Sequence, residues 1–171
     1  IIQQVASNAT QTNNHNSYWL TIFNLPFEKG KFSVQYFHFN KVEPLAALQD
    51  DYVTFSFLGD IYSNDLVKED AVYMEATAYT DNGKVYSVNE KSEKTLMIKD
   101  DRPYTNIYNL TIWPAGFFAI PAGEIIIRID YIFTNKDGTI NITSTDDKIA
   151  AGGDDEVEGE EEPFYSELIC E

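Results

Sequence analysis

Few side chains in this sequence can do bond-making chemistry unaided. Histidine occurs twice, at His15 and His38, and cysteine once, at Cys170. His15 stands in a polar stretch, whereas His38 stands in the aromatic run "QYFHF", the setting of a histidine satisfied within the fold. Neither is accompanied by a nucleophile signature such as G-x-S-x-G, so no Ser/His/Asp arrangement is supported. Cys170 has no partner for an internal disulfide, fits no zinc spacing and reads as a bystander thiol. The expectation is a protein that is not an enzyme.

Carboxylates are abundant, at 28 Asp and Glu. A glycosidase needs two of them about 5 Å or about 6.5–9.5 Å apart across a cleft. Asp60, Asp65, Glu75 and Asp130 are the candidates in ordered segments, and a solvated surface acid is the ordinary reading of each. Calcium is the other use of such oxygens, since it takes six to eight hard ligands. EF-hand spacing is absent; "GDIYSND", residues 59–65, is the best cluster, with Asp60 and Asp65 as metal candidates. No other cofactor is expected, because P-loop and dinucleotide-binding glycine patterns are missing.

Aromatic side chains carry the remaining signal. Trp19, Tyr73, Tyr79, Tyr86 and Trp113 fall on the polar side of their strands or near turns. Sugar recognition uses such rings, because the C–H face of a pyranose stacks on them while amides and acids take the hydroxyls. Trp113, with Asn109 and Thr111 on its face, fits that chemistry, and Tyr79 and Tyr86 beside the Asn82-Gly83 turn fit it next. Glu75 and Asn82 would add hydrogen bonds. The ordinary alternative for each ring is packing under a loop or over a sheet edge.

The elements that must position these groups are short strands. Val53, Phe55 and Phe57 share one face of "YVTFSFL", and Val72, Met74, Ala76 and Ala78 share one face of "AVYMEATAY". Tyr108, Leu110 and Ile112 do the same in "NIYNLTIW", and Ile125, Ile127, Ile129, Tyr131 and Phe133 in "EIIIRIDYIFT". Asn82-Gly83 predicts a two-residue type I′ hairpin turn, and Asp137-Gly138 marks a second hairpin. "KVEPLAALQ" is the one helical candidate, with Pro44 in its first turn. Short strands at regular spacing with almost no helix mean an all-β sandwich or barrel.

Residues 1–17 read as an N-terminal strand and linker, 18–145 as the β-sandwich domain, and 146–163 as a flexible acidic segment. Residues 164–171 could return as a C-terminal edge strand.

The run from "VYMEATAYTDNGKVYS" through "YNLTIWPAGFFAIPAGE" to "IRIDYIFTNKDGT" resembles a pattern in surface proteins of Bacteroidetes, where immunoglobulin-like sandwich modules accompany starch and glycan uptake. It covers about residues 51–143. Where those modules often carry a loop tryptophan, this chain has Tyr86. The resemblance implies an immunoglobulin-like antiparallel β-sandwich, exported and associated with the cell surface or outer membrane.

Composition narrows the partners. The formal net charge of −16, from 12 basic against 28 acidic side chains, argues against nucleic acid and anionic lipid. No apolar run approaches transmembrane length, and the first residues lack a signal peptide's basic region, which leaves export open for a trimmed chain. The expected function is a non-catalytic extracellular or cell-surface module. It would bind an oligo- or polysaccharide or serve as an accessory in a glycan-capturing complex; the alternative is a structural subunit or spacer of a surface assembly, joined to neighbouring subunits by strand addition.

Overall fold

The structure, a computed structural model, describes residues 38–150 and 161–169. The chain divides into two units, Ile1–Tyr36 and Phe37–Glu171, and the second holds every element below. Expectations for residues 1–37, Trp19 and His15 among them, lie outside the described residues, as do residues 151–160 and Cys170.

Among the described residues nine strands form two antiparallel sheets. The first has the order β1 (Asn40–Glu43), β2 (Val53–Leu58), β6 (Ile107–Ile112), β5 (Ile98–Lys99). The second has the order β4 (Val85–Val88), β3 (Tyr73–Thr80), β7 (Ile126–Thr134), with β8 (Asn141–Ile142) and β9 (Phe164–Glu167) both pairing with β7, at different positions. The described residues also form one turn of 3-10 helix, Leu66–Lys68, and two short helices, α1 (Pro114–Phe117) and α2 (Ser144–Ala150).

Alternation makes the core. The inward residues of β2 and β6 are buried against those of β3 and β7, and Val53, Phe55, Phe57, Met74, Ala78, Ile129 and Phe133 are fully covered. Rings meet across the layers: Phe55 and Tyr131 at 4.8 Å edge to face, Phe57 and Phe133 at 5.2 Å. Truncating such a ring to alanine costs about 3–5 kcal/mol, because neighbours only partly refill the hole. The Tyr131 hydroxyl, buried with its ring, accepts a hydrogen bond from Asn40 Nδ2 at 2.8 Å, and burial pushes its pKa well above the usual tyrosine range. The fold is an all-β sandwich.

Four expectations need correction. The helix expected in "KVEPLAALQ" is absent; its first residues are β1, paired from Asn40↔Phe57 to Glu43↔Thr54 with Val42 buried. The residue before a proline is pushed out of the helical region, so Glu43 stays extended and the chain turns after it.

The apolar face of β7 changes phase. Tyr79 pairs with Arg128 but Thr80 pairs with Ile126, so Ile127 is an extra residue, a β-bulge. Ile126 and Ile129 are therefore fully buried, whereas Ile127 is 39% exposed and does not share their face. Gln49 secures the irregular start of the strand: its Oε1 accepts from Ile126 N at 2.9 Å and its Nε2 donates to the Glu124 carbonyl at 3.2 Å.

The Asn82-Gly83 turn is longer than a two-residue turn. Thr80 N bonds the Lys84 carbonyl at 3.0 Å, and of the pair only Gly83 takes positive φ, at 80°. Type I′ would need both. The loop is thus Asp81-Asn82-Gly83, and the register becomes Tyr79↔Val85 and Ala78↔Tyr86.

The acidic segment is ordered over its first residues, since α2 runs to Ala150. Thr143 and Asp146 bond reciprocally at its start, Thr143 N to Asp146 Oδ2 at 2.7 Å and Asp146 N to Thr143 Oγ1 at 3.4 Å, a capping box. Buried Asp147 accepts from Phe39 N at 2.6 Å and lies 2.5 Å from His38 Nδ1, which satisfies that histidine within the fold. The last part of the segment docks too, because Ser144 N donates to the Glu162 carbonyl at 2.9 Å. Beyond it β9 lays Phe164 on Tyr131 and Phe133, ring centres 5.6 Å from each.

Candidate functional site

Parity sends the residues between the core positions of β2 and β6 to the outer face of the first sheet. There Thr54 and Thr111 hydroxyls bond at 2.9 Å, and Ser56 Oγ donates to Asn109 Oδ1 at 2.8 Å. The last pair of the ladder is Val53↔Ile112. Tyr52 and Trp113, the residues immediately beyond it, are 74% and 48% exposed.

Trp113 is held without being buried. Pro114, at the first position of α1, turns the chain back, and Phe117 N bonds the Trp113 carbonyl at 2.7 Å. That brings Gly116 under the indole; a Cβ there would lie 2.3 Å from Trp113 Cε3 and 2.6 Å from Cζ3. Only glycine permits this approach. The indole Nε1 reaches Asp50 Oδ1 at 3.4 Å. One side of the ring rests on backbone, and the ring keeps a large exposed area at the end of a row of hydroxyls and amides. Asn109, four residues earlier on the strand, is about 13 Å from it along the sheet, so the two would meet different parts of an extended ligand.

The other sequence candidates are placed elsewhere. Glu75 and Tyr79 lie on the outer face of the second sheet, half-buried. Tyr86 does not join Tyr79, as the longer turn puts it opposite inward-facing Ala78. It packs on the edge of the core and donates its hydroxyl to Glu124 Oε2 at 2.8 Å. Asn82 is used by its own turn, accepting from Thr80 Oγ1 at 2.7 Å and Lys84 N at 3.3 Å. Of the six residues, Trp113 and Asn109 belong to one outer surface, Glu75 and Tyr79 to the opposite one, Asn82 to its turn and Tyr86 to the edge of the core, rather than to a single site. Tyr73 is buried, bridged by Leu96.

Glu124, a residue sequence reasoning passed over, closes this end of the sandwich. Its buried carboxylate takes hydrogen bonds from Lys84 and Tyr86. The bond from Lys84 and then that from Tyr86 hold it below the ordinary glutamate range, while the same contacts raise Lys84 and Tyr86 above theirs. The "PAGE" turn that carries it thus ties the β6–β7 connection to the β3–β4 hairpin. A buried acid facing a lysine across strands is visible only once register is known.

The metal candidates are engaged separately. Asp60 accepts from Asn106 N at 2.6 Å and from Asn106 Nδ2 at 2.8 Å. Asp65 pairs with Lys68 at 2.5 Å, a hydrogen bond that holds its carboxyl below the usual range. Among the described residues no three His, Cys, Asp or Glu side chains gather where a metal could be held. No helix there is long and apolar enough to cross a membrane.

No curated protein matches the chain. A family model covers residues 40–142, from the first residue of β1 to the last of β8, leaving α2 and β9 outside. That span exceeds half of the sequence, and the chain belongs to the family it defines, a domain of unknown function, DUF8578.

Proposed function

We propose that the chain is a non-catalytic module of a secreted or cell-surface protein that binds an oligo- or polysaccharide along the outer face of its first sheet. Trp113 and Tyr52 stack on sugar rings, and the Thr111 and Asn109 row takes hydroxyls. The observation that carries this reading is the Trp113 indole, fixed on Gly116 yet half-exposed, with exposed Tyr52 on the neighbouring strand beyond the same ladder pair. An aromatic needed only for packing would be covered; one held rigid in solvent loses little freedom when a ligand stacks on it. Such a shallow site binds weakly, at about millimolar to micromolar Kd.

Two further features support the reading. Taken in chain order as A to G, the strands fall into the ABED and C′CFG arrangement of an immunoglobulin-like sandwich, with β8 and β9 sharing the last place. The strand-borne acids considered for catalysis are each engaged by a cation, Glu75 by Lys91 and Asp130 by Arg128. The alternative, a structural subunit joined by strand addition, needs free terminal strands. Phe164–Glu167 is already paired with the chain's own β7, which weighs against it as a donor to a neighbour.

Titration with soluble glucan, mannan and host-type oligosaccharides, read by tryptophan fluorescence, tests the proposal. Quenching or a spectral shift that disappears in Trp113→Ala is the expected result. No response to any of them overturns it.

A further inference from the structure

The outer face of the second sheet carries a separate hollow, produced by side-chain length. Thr77 lies between Glu75 and Tyr79 on β3 and pairs with Ser87 on β4, the two hydroxyls bonded at 2.9 Å. Thr77 is the short residue at the floor of the hollow, and Tyr79, Glu75, Asn89, Asp130 and Pro163 stand around it, leaving an open depression of about 200 Å³. Asp130 comes from β7 directly opposite Thr77. Pro163 stands next to β9, beyond the family span.

The electrostatics of the hollow are specific. Asp130 Oδ1 takes the Arg128 Nε hydrogen bond at 2.5 Å, and Glu75 Oε1 takes Lys91 Nζ. The Asp130 side chain is only 13% exposed, and its Arg128 partner is pinned in turn under the Tyr165 ring, 4.5 Å from the centroid. Among the described residues, neither Asp130 Oδ2 nor Glu75 Oε2 accepts a hydrogen bond. The hollow therefore offers two charged acceptor oxygens whose charges are already balanced, plus an aromatic wall. A cationic ligand gains little there, because each carboxylate has its counter-ion in contact. An anionic one faces unfilled acceptors within a chain of net charge −16. Neutral hydroxyl groups suit it, since a hydroxyl donating to a carboxylate makes one of the stronger hydrogen bonds.

We propose that this hollow is a second binding site, for a neutral saccharide unit, in which Asp130 and Glu75 accept ligand hydroxyls and Tyr79 lines one side of the sugar. The proposal rests on the saccharide reading of the chain but uses none of the residues around Trp113.

The test is amide-resolved NMR titration of the full chain and of Trp113→Ala with maltohexaose, cellohexaose and mannohexaose, and with oligogalacturonate as the anionic probe. The expected result is saturable shifts at Thr77, Asn89 and Asp130 that persist in Trp113→Ala with a neutral probe. Asp130→Asn should weaken them about tenfold or more while leaving the Ile129 and Phe133 signals unmoved. If Asp130→Asn fails to fold, Tyr79→Ala gives the same reading. Shifts confined to the Trp113 region overturn the second site and leave the first intact. Preference for oligogalacturonate overturns the neutral assignment, and no shift with any probe overturns both sites.

Discussion

The two outer faces of the sandwich obey one parity rule and end as different surfaces. On the first sheet the outward residues of β2 and β6 pair as hydroxyl with hydroxyl and hydroxyl with amide, a row that ends in Tyr52 and Trp113 and has the Lys41–Glu43 ion pair of β1 beside it. On the second, outward residues of β3 and β7 pair with cations and differ in height, giving a dented surface around Thr77. Which side chains face out is set by the core; what they build is set by cross-strand register. A ledge needs neighbours of equal length, and a hollow needs a short residue ringed by long ones.

The largest effect that could break this comparison concerns where the second face begins. Ile129→Ala should destabilise the chain by about 2–5 kcal/mol, and Ile127→Ala by within about 0.5 kcal/mol, as read by denaturant unfolding. Equal costs would mean that Ile127 belongs inside and that β7 has no bulge. Next is the ledge. Trp113→Ala should abolish saccharide-induced fluorescence change and weaken binding at least about tenfold, with little change in unfolding midpoint. Gly116→Ala should weaken binding too, since its methyl would occupy the place of the indole and must displace it.

Acidity should separate the faces. Glu124 titrates below its ordinary value of 4.5 in the folded chain, so its contribution is complete above that value and is lost as pH falls through the lower, folded one. Lys84 and Tyr86 are raised, so theirs persist at neutral pH and fade only as pH climbs past 10. Hydrogen exchange should accordingly rise first in the β3–β4 hairpin on acidification, ahead of β2 and β6, whose Thr54–Thr111 and Ser56–Asn109 pairs do not titrate. Loosening of both sheets together would remove the distinction. A small effect is also expected of Thr111→Val, which should cost about 0.2–1 kcal/mol through the lost hydroxyl pair.

Much of the fold was legible in the sequence because β2, β3 and β6 alternate cleanly, so period two assigned their inward residues. Strand β7 was not, since isoleucines at 125, 126, 127 and 129 suit either phase and only pairing with β3 chooses. The strand at the start of residues 41–49 was hidden, because Pro44 suits the first turn of a helix and only pairing with β2 shows Asn40–Glu43 to be extended. The Thr143–Asp146 capping box is a sequence signal for the start of α2. The outward direction of Trp113 was readable from alternation alone. Tyr86 was not, because its direction depends on a turn length that the pair Asn82-Gly83 does not determine. The hollow was invisible until register set Thr77 beside Ser87 and Asp130.

That turn makes surface display a matter of counting. With three residues between Thr80 and Lys84, Val85 points outward and Tyr86 locks onto Glu124. Deleting one would rotate the returning strand by half a period, handing solvent a second tyrosine next to Tyr79 and stranding the carboxylate. A relative could thus gain an aromatic pair, or lose one, through a single-codon insertion or deletion with every side chain otherwise unchanged.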